Sequence, residues 1–107
     1  MGSPSVRIKL HDVPEAESCA RSVHRETRRL AARYSALTTA LFSLAGDGGQ
    51  YEAQLDLRLP QHQIIVNAVA PTTERAVREV IAKAADELTR LEARDPSVAP
   101  QRQAKAA

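Results

Sequence analysis

From Tyr51 to Leu59 apolar and polar residues alternate without a break: Tyr51, Ala53, Leu55, Leu57 and Leu59 against Glu52, Gln54, Asp56 and Arg58. Alternation of period two places one set on each face of a β-strand, so this segment predicts a strand with one dry and one wet side. An apolar run from Ile64 to Val69 follows, and Leu59-Pro60-Gln61-His62 joins the two segments with Pro60 at the second position of a type I turn. Together they predict a hairpin of residues 51–59 and 63–69. The same period governs residues 6–11, where Val6, Ile8 and Leu10 are interleaved with Arg7, Lys9 and His11. Residues 37–44 form a further β-leaning run that ends at Gly46-Asp47-Gly48-Gly49, four turn-forming residues.

Two segments change period. Ala16, Cys19, Ala20, Val23, Thr27, Leu30 and Tyr34 recur every three or four residues, predicting an amphipathic helix to about residue 34. Pro14, Glu15 and Glu17 suit its start, with acids at the positive end of the dipole. Val77, Val80, Ile81, Ala84, Leu88 and Leu91 make a second stripe over 73–94, preceded by Pro71, which cannot extend a strand, and by Thr72 or Thr73 as cap. The order is β-α-β-β-β-α. Strands that alternate wet and dry fit an α+β layer in which both helices cover one face of a four-stranded mixed sheet. The first strand and its helix are expected to cross right-handed into a parallel neighbour. Val23, Leu30, Leu55, Leu57, Val66, Val77, Ile81 and Leu88 are the expected core. Residues 1–5 read as a disordered start or cloning remnant, 6–94 as the domain, and 95–107 as a disordered tail without pattern.

Composition narrows the class. At 107 residues and 43% apolar content there is room for a single core, and with one Phe, two Tyr and no Trp it must be built from aliphatic side chains. The lone Cys19 rules out an internal disulfide and suits a reducing cytoplasm, and its place on the apolar stripe makes it a small core residue. No apolar run approaches the roughly 20 residues of a membrane span, and no signal-peptide core is present. His11, His24 and His62 fall on a strand, a helix and a turn, with no two at ligand spacing, which argues against a metal or nucleophile site. The glycine-rich turn lacks the Lys-Ser/Thr continuation of a phosphate loop.

Charge adds the functional signal. Net charge is only +2, yet residues 18–34 hold five arginines against Glu26 alone, a local +4, while the other segments carry 10 basic and 12 acidic side chains, or −2. On a wheel centred on Val23, Arg21, Arg25, Arg28 and Arg29 lie on the solvent side and Arg33 on the flank. Such a row can hold phosphates through charge-assisted, often bidentate hydrogen bonds. Its bland alternative is a solvated face helped by the negative end of the dipole. Lys83, Arg90 and Arg94 share one flank of the second helix, because spacings of 7 and 11 residues return to about the same angle. Glu79 and Glu87 lie on that flank too and would pair with them at four-residue spacing.

The element order, the first strand "VRIKLHDV", the arginine-rich helix, the phrase "YEAQLDLRLPQHQIIVNAVAP" and the helix "AVREVIAKAADELTRL" resemble the ribosome hibernation-promoting factors, also called ribosome-associated inhibitors or sigma-54 modulation proteins. The resemblance spans residues 6–94 and implies a fold like that of double-stranded-RNA-binding domains. It implies a cytoplasmic, non-enzymatic stress factor without cofactor or small-molecule substrate, bound to the small subunit of the 70S ribosome. There it occupies the decoding channel through ribosomal RNA backbone and inhibits translation. The RNA-binding residues implied are Arg21, Arg25, Arg28, Arg29, Arg33, Lys83, Arg90 and Arg94. Pro71-Thr72-Thr73 stands where the family often has an acidic-aromatic segment, and Asp86, Glu87 and Glu92 dilute the usual basic cluster of the second helix. The C-terminal dimerisation domain of long members has no counterpart in this sequence. The rival reading is a protein-interaction or regulatory domain of the same fold that uses the open sheet face, where Ile65 and Val69 point outward, and binds no RNA.

Overall fold

The computed structural model describes residues 4–98. Strand β1 (Ser5–His11) leads into helix α1 (Ala16–Arg33), then β2 (Thr39–Asp47), β3 (Gln50–Leu59), β4 (His62–Ala70) and helix α2 (Thr73–Arg94), with a 3-10 turn at Pro96–Val98. The sheet order is β1-β2-β3-β4, parallel between β1 and β2 and antiparallel elsewhere. This is the expected four-stranded mixed sheet with two helices.

The hairpin register is the one the alternation predicts. Leu55 pairs with Val66 and Leu57 with Ile64, and both leucines are fully buried while Arg58 points to solvent. Cys19, Val23, Thr27 and Leu30 of α1, and Ala76, Val80, Ala84 and Leu88 of α2, close over that dry face. Alanines at 40, 53, 68, 70, 76 and 84 are all buried, so backbones approach closely in a chain poor in aromatics. Seven of the eight expected core residues are buried; Ile81 is only partly so, because it borders the cleft between the helices.

Boundaries differ from expectation where backbone geometry, not pattern, decides. Helix α1 begins at Ala16, after Pro14 and Glu15, because Glu15 takes a left-handed conformation (φ 55°) as an N-cap without a side-chain bond; Glu17 alone stays in the first turn. Strand β2 begins at Thr39, since Leu37 is folded back by its N–H to the Tyr34 carbonyl (3.0 Å). Only Gly48 and Gly49 form the β2–β3 turn, with φ of 60° and 86°, the two positive values a type I′ hairpin requires. Gly46 is a strand residue whose hydrogen faces the Asp12 carbonyl; a Cβ there would lie 2.5 Å from that oxygen. The Thr72 side chain caps α2, accepting from the Arg75 N–H at 3.2 Å.

The ordered chain also extends past both expected ends. Ser5 joins β1, its N–H donating to the Thr38 carbonyl at 2.9 Å. Beyond α2, Asp95 accepts from the Ser97 hydroxyl (2.6 Å) and N–H (3.2 Å) and bonds His62 Nε2 (2.8 Å), turning the chain so that Val98 is buried. The segment expected to be disordered therefore begins with a packed turn; the rest of that expectation, residues 99–107, lies outside the described residues.

Two outcomes follow from this packing. The Thr27 hydroxyl is fully buried without a hydrogen-bond partner among the described residues, so it bears a desolvation cost with no return. Thr27→Val, nearly the same shape, should raise stability by about 1 kcal/mol, read as a higher midpoint in urea with an unchanged slope. The Ser97 side chain first, then His62 and the Ser97 N–H, hold the Asp95 carboxyl below its ordinary value. A depressed carboxyl stabilises the fold above its unfolded pKa and loses that contribution as pH falls through the folded one. Protection of the Val98 amide, taken relative to its intrinsic exchange rate, should therefore fall as pH drops below the ordinary carboxylate range, and Asp95→Asn should remove that loss of protection on acidification.

Candidate nucleic-acid interface

The stripe Cys19-Val23-Thr27-Leu30 fixes the rotation of α1 about its axis, and with it the direction of the arginines. Arg21, Arg25, Arg28, Arg29 and Arg33 are all exposed. Arg21 and Arg28 form no ion pair among the described residues. Their spacing of seven residues places them about two turns apart, roughly 10 Å along one side. Arg25 and Arg29 share Glu26 at 3.7 and 3.6 Å. Such long, solvent-exposed contacts hold a guanidinium weakly and give it up readily to a phosphate. Arg33 is placed differently: its Nε donates to the Tyr34 hydroxyl (3.2 Å) and its guanidinium carbon lies 5.5 Å from the centre of that ring. Tyr34 is itself buried, its hydroxyl 3.3 Å from Thr89 of α2, so Arg33 is oriented by the joint between the helices.

The second basic group does not join the first. Lys83 reaches away from α1 to the carbonyl of Asn67 on edge strand β4, at 2.7 Å. Arg94 borders a depression with His62, Gln63, Ile64, Ile65 and Glu87, on that same β4 side of α2. Arg90 pairs with Glu87 at 2.9 Å. Neither four-residue pair expected for Lys83 forms: Glu79 is taken by Arg75 (3.0 Å) and Glu87 by Arg90. Lys83 is thereby a partly structural tether of helix to sheet; neither it nor Arg94 has an ion pair among the described residues.

What does share a cleft with an α1 arginine, Arg25, is Arg78. Ser22, Arg25 and Glu26 line one side of the interhelical cleft, and Glu74, Val77, Arg78 and Ile81 the other. Arg78 contacts Glu74 at 3.5 Å in an exposed pair. Sequence reasoning passed over Arg78 because it chose the α2 flank by clustering of like charges. The wheel separates Arg78, next to Val77, from Lys83 and Arg94 on the other side of Val80; that the Val77 and Ile81 side is the one turned toward α1 is set by the packing of the helices.

The remaining chemistry is spare. Cys19 is buried, and burial pushes its thiol up, away from the reactive thiolate. His11 lies 3.3 Å from Asp12 and His62 2.8 Å from Asp95, at separate places in the fold. Among the described residues no three His, Cys, Asp or Glu side chains gather as a metal site would need, and no helix is long and apolar enough to cross a membrane. The arrangement can do one thing well: present a row of guanidinium groups, rigidly backed by a packed core, to an extended polyanion.

No protein-family model matches the sequence, and no curated protein matches it. Solved structures do. The N-terminal domain of Protein Y from Thermus thermophilus superposes with a TM-score of 0.71 at 15% identity, over 81% of this chain and 98% of that one. A ribosomal subunit interface protein from Coxiella burnetii matches with a TM-score of 0.61 at 14% identity, over the same shares. At such low identity the likeness is one of architecture: this chain has the β-α-β-β-β-α fold of those proteins.

Proposed function

We propose that the protein is a ribosome-associated hibernation factor that binds ribosomal RNA through the outer face of α1. The observation that carries this reading is the row of five exposed arginines on α1, in a fold shared with a ribosomal subunit interface protein. Arg21, Arg25, Arg28 and Arg29 contact phosphates, with Arg78 adding a charge from across the cleft. Arg33, held over Tyr34, supplies a donor whose direction is set in advance, at less entropic cost than a free side chain. Arg90 and Arg94 form a second, weaker contact on the β4 side, where Lys83 keeps its charge but is held to the Asn67 carbonyl rather than free to reach.

The mechanism is occupancy. A folded domain seated in the small subunit's decoding channel excludes mRNA and initiator tRNA by volume, and needs no nucleotide, metal or turnover. No single arginine is strong enough to hold it there. Affinity comes from several contacts acting together, each releasing counterions from the RNA backbone.

The test is co-sedimentation with purified ribosomes at two salt concentrations. With about four phosphates contacted, association should weaken roughly 50- to 150-fold between about 50 and 200 mM salt. Arg21→Glu with Arg28→Glu should weaken it at least tenfold and flatten that dependence, because both residues are exposed and make no ion pair among the described residues. Arg7→Glu with Arg58→Glu, on the open sheet, should change it much less. Equal losses from the two double variants, with little effect of salt, would remove the assignment to α1.

A further inference from the structure

The sheet face that the helices leave open is not featureless. Edge strand β1 carries Arg7 and Lys9 outward, β2 carries Leu41 and Ser43 beside them, and β3 carries Gln54 and Asp56 beyond. These six residues, with Ile8 and the buried Phe42 between them, line a depression of about 670 Å³. Leu41 and Ser43 are half-buried and lie between the long, exposed Arg7 and Lys9 on one side and Gln54 on the other. Charge on the walls is uneven. Arg7 and Lys9 are exposed and have no ion pair among the described residues, whereas Asp56 is held by Arg58 (3.3 Å) and by both Gln63 amide bonds (3.1 and 3.2 Å). The trough is therefore cationic along β1 and close to neutral along β3.

We infer that this trough docks an extended, acidic segment of a partner protein, with acidic side chains two residues apart facing Arg7 and Lys9 and aliphatic side chains over Leu41. The spacing fits: outward residues two apart on a strand lie about 6.6 Å from each other, the same repeat an extended partner offers. Nucleic acid fits this face less well. Open sheets that bind single strands do so largely by stacking bases on aromatic rings. The outward rows Arg7-Lys9-His11, Leu41-Ser43, Glu52-Gln54-Asp56-Arg58 and Gln63-Ile65-Asn67-Val69 hold no Phe, Tyr or Trp; their single ring is His11 at the end of β1. Their exposed acid Glu52 lies outside the depression, and Ile65 and Val69, 50% and 55% exposed, extend the face in aliphatic character. Phosphate recognition and protein docking are thus divided between the two sides of the domain. The inference does not rest on the ribosome reading, and its test contains no ribosomes.

The probe is a synthetic peptide of four Glu-Leu repeats, titrated into nitrogen-15-labelled protein and followed by two-dimensional amide spectra. Shifts should concentrate at Arg7, Lys9, Leu41, Ser43 and Gln54, leaving α1 unmoved. Arg7→Gln with Lys9→Gln should weaken binding at least tenfold, while Arg21→Glu with Arg28→Glu leaves it unchanged. Both pairs lie on exposed positions, and unaltered core amides in the variants check that the fold is intact. An oligouridylate that shifts the same amides as strongly would make this a nucleic-acid face. Equal binding by a Lys-Leu peptide, or no shift with the Glu-Leu peptide, would overturn the inference outright.

Discussion

A sheet that is apolar on one side only must have that side covered, and here two helices of 18 and 22 residues do most of the covering, with Leu37 and Val98 closing the edges. Every other property of the domain depends on this single burial. It sets the rotation of each helix, because Val23 and Leu30 on one and Val80, Ala84 and Leu88 on the other must face inward. It leaves the opposite side of each helix to solvent, and the opposite face of the sheet as well. The outward set of α1 happens to be arginine, so a requirement of the core becomes the direction of a charged row. Leu55 and Leu57 anchor the arrangement in the sheet's centre, and either one truncated to alanine would remove about 2–5 kcal/mol, much of what a domain of this size has to spare.

Five like charges on one helix face are a liability to folding, since they repel one another and gain nothing from the core. The chain tolerates them by exposing them, where water and salt weaken the repulsion, and by placing Glu26 between Arg25 and Arg29. Helix α2 follows the other policy: Arg75, Arg78 and Arg90 each have an acid within one turn, at 3.0, 3.5 and 2.9 Å. A helix whose charges are locally balanced is one whose surface serves solubility. On α1 the excess charge is left unbalanced, and this contrast between the helices, clearer in the structure than in the charge count, is what the proposed role of α1 rests on.

The alternation of residues 51–59 was enough to place Leu55 and Leu57 inside and Arg58 outside, because period two admits only two registers and one of them buries charge. The helix stripes and the Pro60 turn were legible for the same reason: each is a short-range pattern. Three things were not. The start of α1 depends on the left-handed backbone at Glu15, a residue type that seldom adopts it. The burial of Val98 depends on His62, which meets Asp95 across 33 residues of sequence. The place of Lys83 depends on which side of α2 lies over β4, and its bond to the Asn67 carbonyl spans 16 residues. Pairing basic residues by helical angle within one helix could not show that Lys83 and Arg94 turn away from α1 while Arg78 turns toward it. Neighbouring elements, not the wheel, decide which charges form one surface.

The central claim is that the domain acts by occupying a site, one molecule to one ribosome, through the α1 face. Titration of the protein into a cell-free translation system of known ribosome concentration tests it most directly. Inhibition should rise in proportion to protein added and level off near one molecule per ribosome. It should be strongest when the protein precedes initiation, and absent for a variant with Arg21, Arg25, Arg28 and Arg29 all replaced by glutamine. Full inhibition at a small fraction of one molecule per ribosome, or undiminished inhibition by that variant, would contradict the account.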